Sequence, residues 1–186
     1  MILFIDSCVR EDSRTRRLAE HLLAGLGGAY ERVALAGDPL PTLDGETLAR
    51  RNAACERGDF SDPYFDTAKQ FAAADDIVIA APFWDLSFPA TVKKYIETVC
   101  VAGLTFRYTG DGVPAGLCRA KRLFFVTTAG GTIFNDAYGF GYIRDLAKFM
   151  FGIPDVRMIK AEGLDIDGAD VEGILASAFR EADAVV

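Results

Sequence analysis

Met1-Ile2-Leu3-Phe4-Ile5-Asp6-Ser7-Cys8-Val9-Arg10-Glu11-Asp12-Ser13-Arg14-Thr15 opens the chain with an apolar run that stops at a polar, hydroxyl-bearing turn. Such a run over Met1 to Asp6 predicts a strand buried on both faces, the kind a parallel sheet needs. From Ser13 onward Leu18, Leu22 and Leu26 recur at helical spacing beside Arg16, Arg17, Glu20 and His21, and Gly27-Gly28 supplies a stop. The unit is strand, loop, amphipathic helix. Further strands are predicted at Tyr30 to Ala36, Ile77 to Ala81, Arg122 to Thr127 and Val156 to Ala161. Helices are predicted at Pro63–Ala73, Ala90–Val101, Ala137–Phe151 and Ala169–Ala182. This alternation implies an α/β fold, a doubly wound five-stranded parallel sheet with helices on both faces.

Two stretches break the rhythm. Gly37 to Asp62 carries Pro39, Pro41 and a polar segment, Leu48 to Gly58, with room for one helix; its length suggests a functional excursion or a dimer contact. Leu104 to Leu117 carries Gly110, Gly112, Pro114 and Gly116 as turn residues.

The 186 residues suit one domain over 1–186, and 51% hydrophobic with 25% charged residues provides a sizeable core. With 20 Lys and Arg against 27 Asp and Glu, the net charge of −7 argues against nucleic acid or an anionic membrane as partner. The longest uncharged apolar run, Ile77 to Trp84, is far short of the roughly 20 residues that cross a bilayer. No basic leader precedes the first strand, so a cytoplasmic location is expected. Cys8, Cys55, Cys100 and Cys118 form no C-x-x-C pair and His21 is the sole histidine, which leaves little from which to build a zinc site or a Ser-His-Asp triad. No metal is expected.

In an open sheet of order 2-1-3-4-5, ligands bind beyond the carboxyl ends of the strands, at the switch between the first and third. That rule singles out three loops. After the first strand, Ser7, Ser13, Arg14 and Thr15 run into a helix N-terminus, where free N–H groups and the helix dipole favour a phosphate; the same residues would equally serve as a cap and solvated arginines. After the third strand, Pro82-Phe83-Trp84-Asp85-Leu86 offers backbone and rings to a flat aromatic ligand, or else core and interface aromatics. After the fourth, Thr128-Ala129-Gly130-Gly131 lets a backbone approach a ligand closely, or is an ordinary turn. Their convergence on one end of the sheet predicts a pocket with a phosphate at one end and a polar-edged ring at the other.

Several longer motifs point further: Pro39-Leu-Pro-Thr-Leu-Asp-Gly-Glu46, Ala80-Ala-Pro-Phe-Trp84 with the Lys93-Lys94-Tyr95 helix, Ala102-Gly-Leu-Thr-Phe-Arg-Tyr-Thr109 with Gly116-Leu117, and Ala161-Glu-Gly163. Over about residues 1–165 the chain resembles the flavodoxin-like FMN-dependent NADH azoreductases and related NAD(P)H:quinone reductases. The resemblance implies FMN held by Ser7 and Ser13 to Thr15, with its ring along Phe83 to Leu86 and against Thr128 to Gly131. It implies Tyr108 and aromatics near Phe151 on the substrate side, and a homodimer with the site at the subunit interface. Where this chain has Asp85, relatives often carry Asn, and where it has Thr-Ala-Gly-Gly they carry a Ser-Arg-Gly-Gly type of loop. The expected chemistry is carried by FMN itself: NADH or NADPH delivers hydride, leaves, and a small-molecule quinone or azo compound takes the electrons by a ping-pong mechanism. No G-x-G-x-x-G follows a strand, so no separate dinucleotide domain is expected.

Two rivals remain open at this stage. Cys8-Val-Arg-Glu-Asp-Ser-Arg14-Thr15 satisfies the C-x5-R-[S/T] spacing of low-molecular-weight tyrosine phosphatases, which resemble this fold, and Asp62-Pro63-Tyr64 resembles their general-acid loop. Against it, Glu11 and Asp12 would put carboxylates in a loop meant for a dianion. The other is a non-catalytic flavodoxin that carries electrons to a protein partner.

Overall fold

The computed structural model describes residues 1–37 and 40–186; Pro39 of the first motif lies outside the described residues. Strand β1 (Ile2–Asp6) is buried at every position and sits between β2 (Tyr30–Ala34) and β3 (Asp76–Ala80). With β6 (Arg122–Thr128) and β7 (Asp155–Ala161), the parallel sheet runs β2-β1-β3-β6-β7, the 2-1-3-4-5 order expected for the five main strands.

Alternation of side chains across the sheet builds two cores. Leu3, Ile5, Ile77, Ile79, Leu123 and Phe125 face one layer, whereas Ile2, Phe4, Val78, Ala80, Phe124 and Val126 face the other. Helices α1 (Arg14–Leu26) and α6 (Val171–Asp183) cover the second layer through Leu18, Leu22, Leu175 and Ala178. The first is covered by α3 (Asp66–Ala73), α4 (Ala90–Val99) and a helical segment spanning 137–151. At about 1.5–3 kcal/mol per buried large apolar side chain, these paired layers fix the register, since a one-residue slip would exchange the two sets.

Local signals explain the boundaries. Ser13 caps α1, its Oγ accepting the Arg16 N–H at 3.2 Å, and Gly27 with φ 67° ends it. Helix α2 (Gly45–Arg57) starts three residues before the predicted segment because Asp44 caps it through the Thr47 N–H. The helix predicted at Pro63–Ala73 divides into a 3₁₀ turn, Pro63–Phe65, and α3.

The structure departs from the sequence reading in two places. Leu104 to Leu117 holds an antiparallel hairpin of β4 (Phe106–Tyr108) and β5 (Pro114–Gly116), too short for alternation to betray it. The helix expected over Ala137–Phe151 is π-helical at Ala137–Gly141 and Leu146–Phe151, around a single α-helical turn, α5 (Tyr142–Asp145).

Candidate functional site

The carboxyl ends of β1, β3 and β6 open on a cleft of about 280 Å³. Its walls include Ser13, Arg14 and Thr15 from the first loop, Pro82, Phe83 and Trp84 from the second, and Thr128, Ala129 and Gly130 from the third. The three loops singled out in the sequence are thus brought together.

The first loop carries an unusual backbone. Among the described residues, no protein acceptor meets the N–H groups of Val9 to Asp12, Arg14 and Thr15, while Ser13 closes a turn on Arg10 and the flanking Cys8 and Arg16 N–H groups are bonded to Asp6 and Ser13 side chains. A row of free donors at a helix N-terminus is a nest for an anion, reinforced by the helix dipole. The Ser13 hydroxyl accepts from Arg16 and faces the Cys8 sulfur. Thr15 and Thr128 share a 2.6 Å hydrogen bond between hydroxyls, tying the first loop to the third. Arg14 lines the cleft but gives its Nη1 to Asp165 Oδ1 at 2.8 Å and to the Leu164 carbonyl at 3.4 Å.

In the second loop the Phe83 N–H donates to the Thr128 carbonyl at 2.9 Å, which continues the sheet one step past β3. Trp84 and Ser87 then exchange two backbone hydrogen bonds around Asp85 (φ 52°) and Leu86 (φ 64°). Positive φ at both central residues is the signature of a type I′ turn, where Asn and Asp are the non-glycine residues best tolerated. That accounts physically for an Asp, Asp85, at the first of these two positions. Ser87 Oγ donates to the Tyr138 carbonyl at 2.7 Å, fastening this loop to the π-helical turn.

The third loop runs against the end of β7. Asp165 donates its N–H to the Gly130 carbonyl at 2.9 Å and Gly163 donates to Gly131 at 3.0 Å, while the Gly130 and Gly131 N–H groups meet no acceptor among the described residues. Glu162 accepts the Ile133 N–H at 2.9 Å and Lys160 pairs with it at 3.1 Å. Burial pushes the Glu162 carboxyl up, but these bonds outweigh it and hold it below the usual range.

Several expected site residues lie elsewhere. Ser7 is fully buried and its Oγ donates to the Ala80 carbonyl at 2.8 Å, so its hydroxyl serves the sheet and not the cleft. Asp85 and Leu86 are exposed at the turn tip, outside the walls of the cleft, as is Gly131. Phe151 is 2% exposed and packs on Phe71 with ring centroids 4.8 Å apart; it is a core residue and does not line the cleft. Tyr108 stands exposed on β4, edge-on to Phe106, and does not line the cleft. The sequence reading missed Val9, Arg10, Asp12, Leu164 and Asp165, which with Cys8 complete the walls. Leu164 and Asp165 follow the Ala161-Glu-Gly163 motif beyond the last strand, a strand end that the switch-point rule does not single out.

Cys8 argues against the phosphatase alternative. It is 1% exposed, and burial pushes its thiol up to about 12, the reverse of an activated nucleophile. Asp62 caps the Pro63–Phe65 turn through the Tyr64 N–H at 2.9 Å and lines no part of the cleft. Among the described residues no group of three or more His, Cys, Asp or Glu side chains is placed to hold a metal, and no helix is long and apolar enough to cross a membrane.

A family model described as a flavodoxin-like fold matches residues 1–186. An FMN-dependent NADH:quinone oxidoreductase of Bordetella parapertussis is 33% identical over 199 residues, covering 99% of this chain and 93% of that protein. FMN-dependent NADH:quinone oxidoreductase 2 of Clostridium acetobutylicum is 46% identical over 120 residues, which is 62% of this chain but only 59% of that protein. The crystal structure of an azoreductase from Bacillus anthracis superposes with a TM-score of 0.84 over 99% of this chain and 97% of that one, at 24% identity, a likeness of fold.

Proposed function

The chain belongs to the flavodoxin-like-fold family, and from that premise we propose that it is an FMN-dependent oxidoreductase that passes electrons from NADH or NADPH to quinones or azo compounds. The observation that carries this reading is the set of N–H groups without a protein acceptor in the first loop, those of Val9, Arg10, Asp12, Arg14 and Thr15 among them belonging to residues that line the cleft. It suits a phosphate, and the residues around it suit the rest of FMN: Phe83 and Trp84 for a flat ring, the Gly130 N–H group for that ring's polar edge. The Bordetella parapertussis relative, aligned over nearly its whole length, supports NADH as donor and a quinone as acceptor.

Bound FMN would supply the redox chemistry, taking up a hydride from the reduced nicotinamide and yielding two electrons to the acceptor. The protein's part is to bind and orient. Ser13 and the first-loop N–H groups would hold the phosphate, and Arg10 and Arg14 would add positive charge beside it. The Phe83–Thr128 and Thr15–Thr128 bonds lock the three loops together, so the walls are set before any ligand arrives. Donor and acceptor use the same cleft in turn, which makes the kinetics ping-pong.

The proposal includes a cytoplasmic homodimer with the cleft at its interface. Exposed Trp84, Leu86 and Tyr138 lie on the two loops fastened by Ser87, forming an apolar rim that a second copy would cover. The unpaired state of all four cysteines suits a reducing compartment.

The test mixes protein with FMN, passes it through gel filtration, and follows NADH oxidation at several fixed quinone concentrations. Flavin should co-elute with the protein and double-reciprocal plots should be parallel. Flavin eluting alone refutes the reading. Intersecting lines refute the shared cleft, and bound flavin that NADH fails to reduce favours an electron carrier.

A further inference from the structure

Asp6 ends β1 with a side chain that is only 1% exposed. A buried carboxylate persists only when it is paired and fully hydrogen-bonded. Its Oδ1 accepts the Cys8 N–H at 2.9 Å, and its Oδ2 accepts Arg16 Nε at 2.7 Å and Arg32 Nε at 3.1 Å. Burial pushes this carboxyl up, but the hydrogen bonds from Arg16, Cys8 and Arg32 outweigh it and hold it ionised below its usual range.

Arg16 is turned away from the cleft. With Nε on Asp6, its Nη1 donates to the carbonyls of Arg10 at 2.8 Å and Glu11 at 3.2 Å, and its Nη2 to the carbonyl of Cys8 at 2.5 Å. One guanidinium thus gathers three carbonyls of the first loop on the side opposite the ligand, while its neighbour Arg14 lines the cleft. In a planar trans peptide the C=O and the following N–H point in opposite directions. The carbonyls of Cys8, Arg10 and Glu11 share peptide planes with the N–H groups of Val9, Glu11 and Asp12, all three of which lack a protein acceptor.

We infer that Arg16, held in place by Asp6, is a positioning residue that makes the first loop an anion nest: by drawing three carbonyls backwards it turns their partner N–H groups toward the phosphate. The inference deepens the FMN reading and rests on it. It assigns Arg16 no contact with the ligand, and it requires arginine specifically, because an ammonium is a point charge that cannot reach a carboxylate and three carbonyls from one planar fork. Without the clamp the loop carbonyls are free to rotate toward the phosphate and repel it.

Riboflavin, which has the flavin ring but no phosphate, separates this role from general support of the fold. Flavin-free wild type, Arg16→Met and Arg16→Lys are each titrated with FMN and with riboflavin by quenching of flavin fluorescence. The ratio of the riboflavin Kd to the FMN Kd should fall about tenfold in both variants, the scale of losing one or two charge-assisted hydrogen bonds. A fall of less than about threefold overturns the inference, whether both affinities hold or drop together. Arg16→Lys keeps a positive charge facing Asp6 and reads the same ratio should Arg16→Met fail to fold. Wild type that binds FMN no better than riboflavin overturns the underlying FMN reading instead.

Discussion

Replacing Gly116 by alanine tests how the β4–β5 hairpin is seated. A Cβ at Gly116 would overlap the carbonyl group of Phe151 and the nitrogen of Gly152, so it would strike main chain and not the end of a flexible side chain. The opposing surface is equally constrained, because a Cβ on Gly152 would come within 3.2 Å of the Gly116 Cα and Gly152 itself holds φ 74°. Neither partner can give way without lifting the hairpin off the π-helical turn or dislodging Phe151 from its packing on Phe71. Overpacking against a yielding core costs about 1–3 kcal/mol, and this contact lies at the rigid end, so a loss of about 3 kcal/mol is expected. For a chain of this length that corresponds to a fall in Tm of roughly 6–12 °C. Calorimetry or a circular dichroism melt measures it. The cleft is built by other elements, so the FMN Kd at 15 °C should stay within about twofold of wild type, a shift below about 0.5 kcal/mol. A Tm within about 2 °C of wild type would mean that the hairpin does not rest on Phe151 and Gly152.

Three further outcomes follow from the same kind of contact. Gly130→Ala pushes its Cβ into the exposed Asp165 carboxylate, which must swing aside and strain its pair with Arg14, so it should cost about 1 kcal/mol or less; adding Asp165→Ala should relieve the overlap and recover the steric part of that loss, and a double mutant no better than Gly130→Ala would contradict the geometry. Burial pushes Cys8 and Cys118 up to about 12, Cys100 to about 11 and Cys55 upward, so iodoacetamide at pH 8 should label native protein far more slowly than urea-unfolded protein, and equal rates would refute the burial of these thiols. Because the folded Asp6 carboxyl lies below its unfolded value, its stabilisation is full above about pH 4 and lost as pH falls through the folded value; Asp6→Asn should therefore cost about 3 kcal/mol in urea melts at pH 7 and progressively less below pH 4, whereas a pH-independent cost would mean that the carboxylate charge is not what Arg16 and Arg32 hold.

The sheet was legible because its three central strands are largely buried on both faces. Ile2 to Ile5, Ile77 to Ala80 and Leu123 to Val126 are apolar without interruption, and between them come amphipathic helices, the first two capped by Ser13 and Asp44, which leaves a parallel, doubly wound topology as the consistent arrangement. The hairpin stayed hidden because its strands, Phe106–Tyr108 and Pro114–Gly116, are three residues each and are held by docking on Phe151 and Gly152, a contact between distant parts of the chain. The π-helical turns stayed hidden for a related reason. Apolar spacing places a helix over Ala137–Phe151 but does not fix which carbonyl each N–H chooses, and that choice answers to packing around Gly139 and Gly141.

At the site, strand ends were legible and side-chain directions were not. Ser7 and Ser13 are both hydroxyls in the first loop, yet Ser7 is still in register with the sheet and donates to Ala80, whereas Ser13 has left it and caps α1. The arginines divide in the same way. Successive helical residues turn by about 100°, so Arg14 and Arg16 point to nearly opposite sides of α1 and only one of them can face the cleft. Asp6 decides which: a carboxylate at the end of an otherwise apolar, fully buried strand requires a cation behind the loop, and Arg16 is the one within reach on that side of the helix. A charge inside a buried strand that feeds a ligand loop is therefore a readable signal that one basic residue of that loop is committed to the scaffold and is subtracted from those available to the ligand.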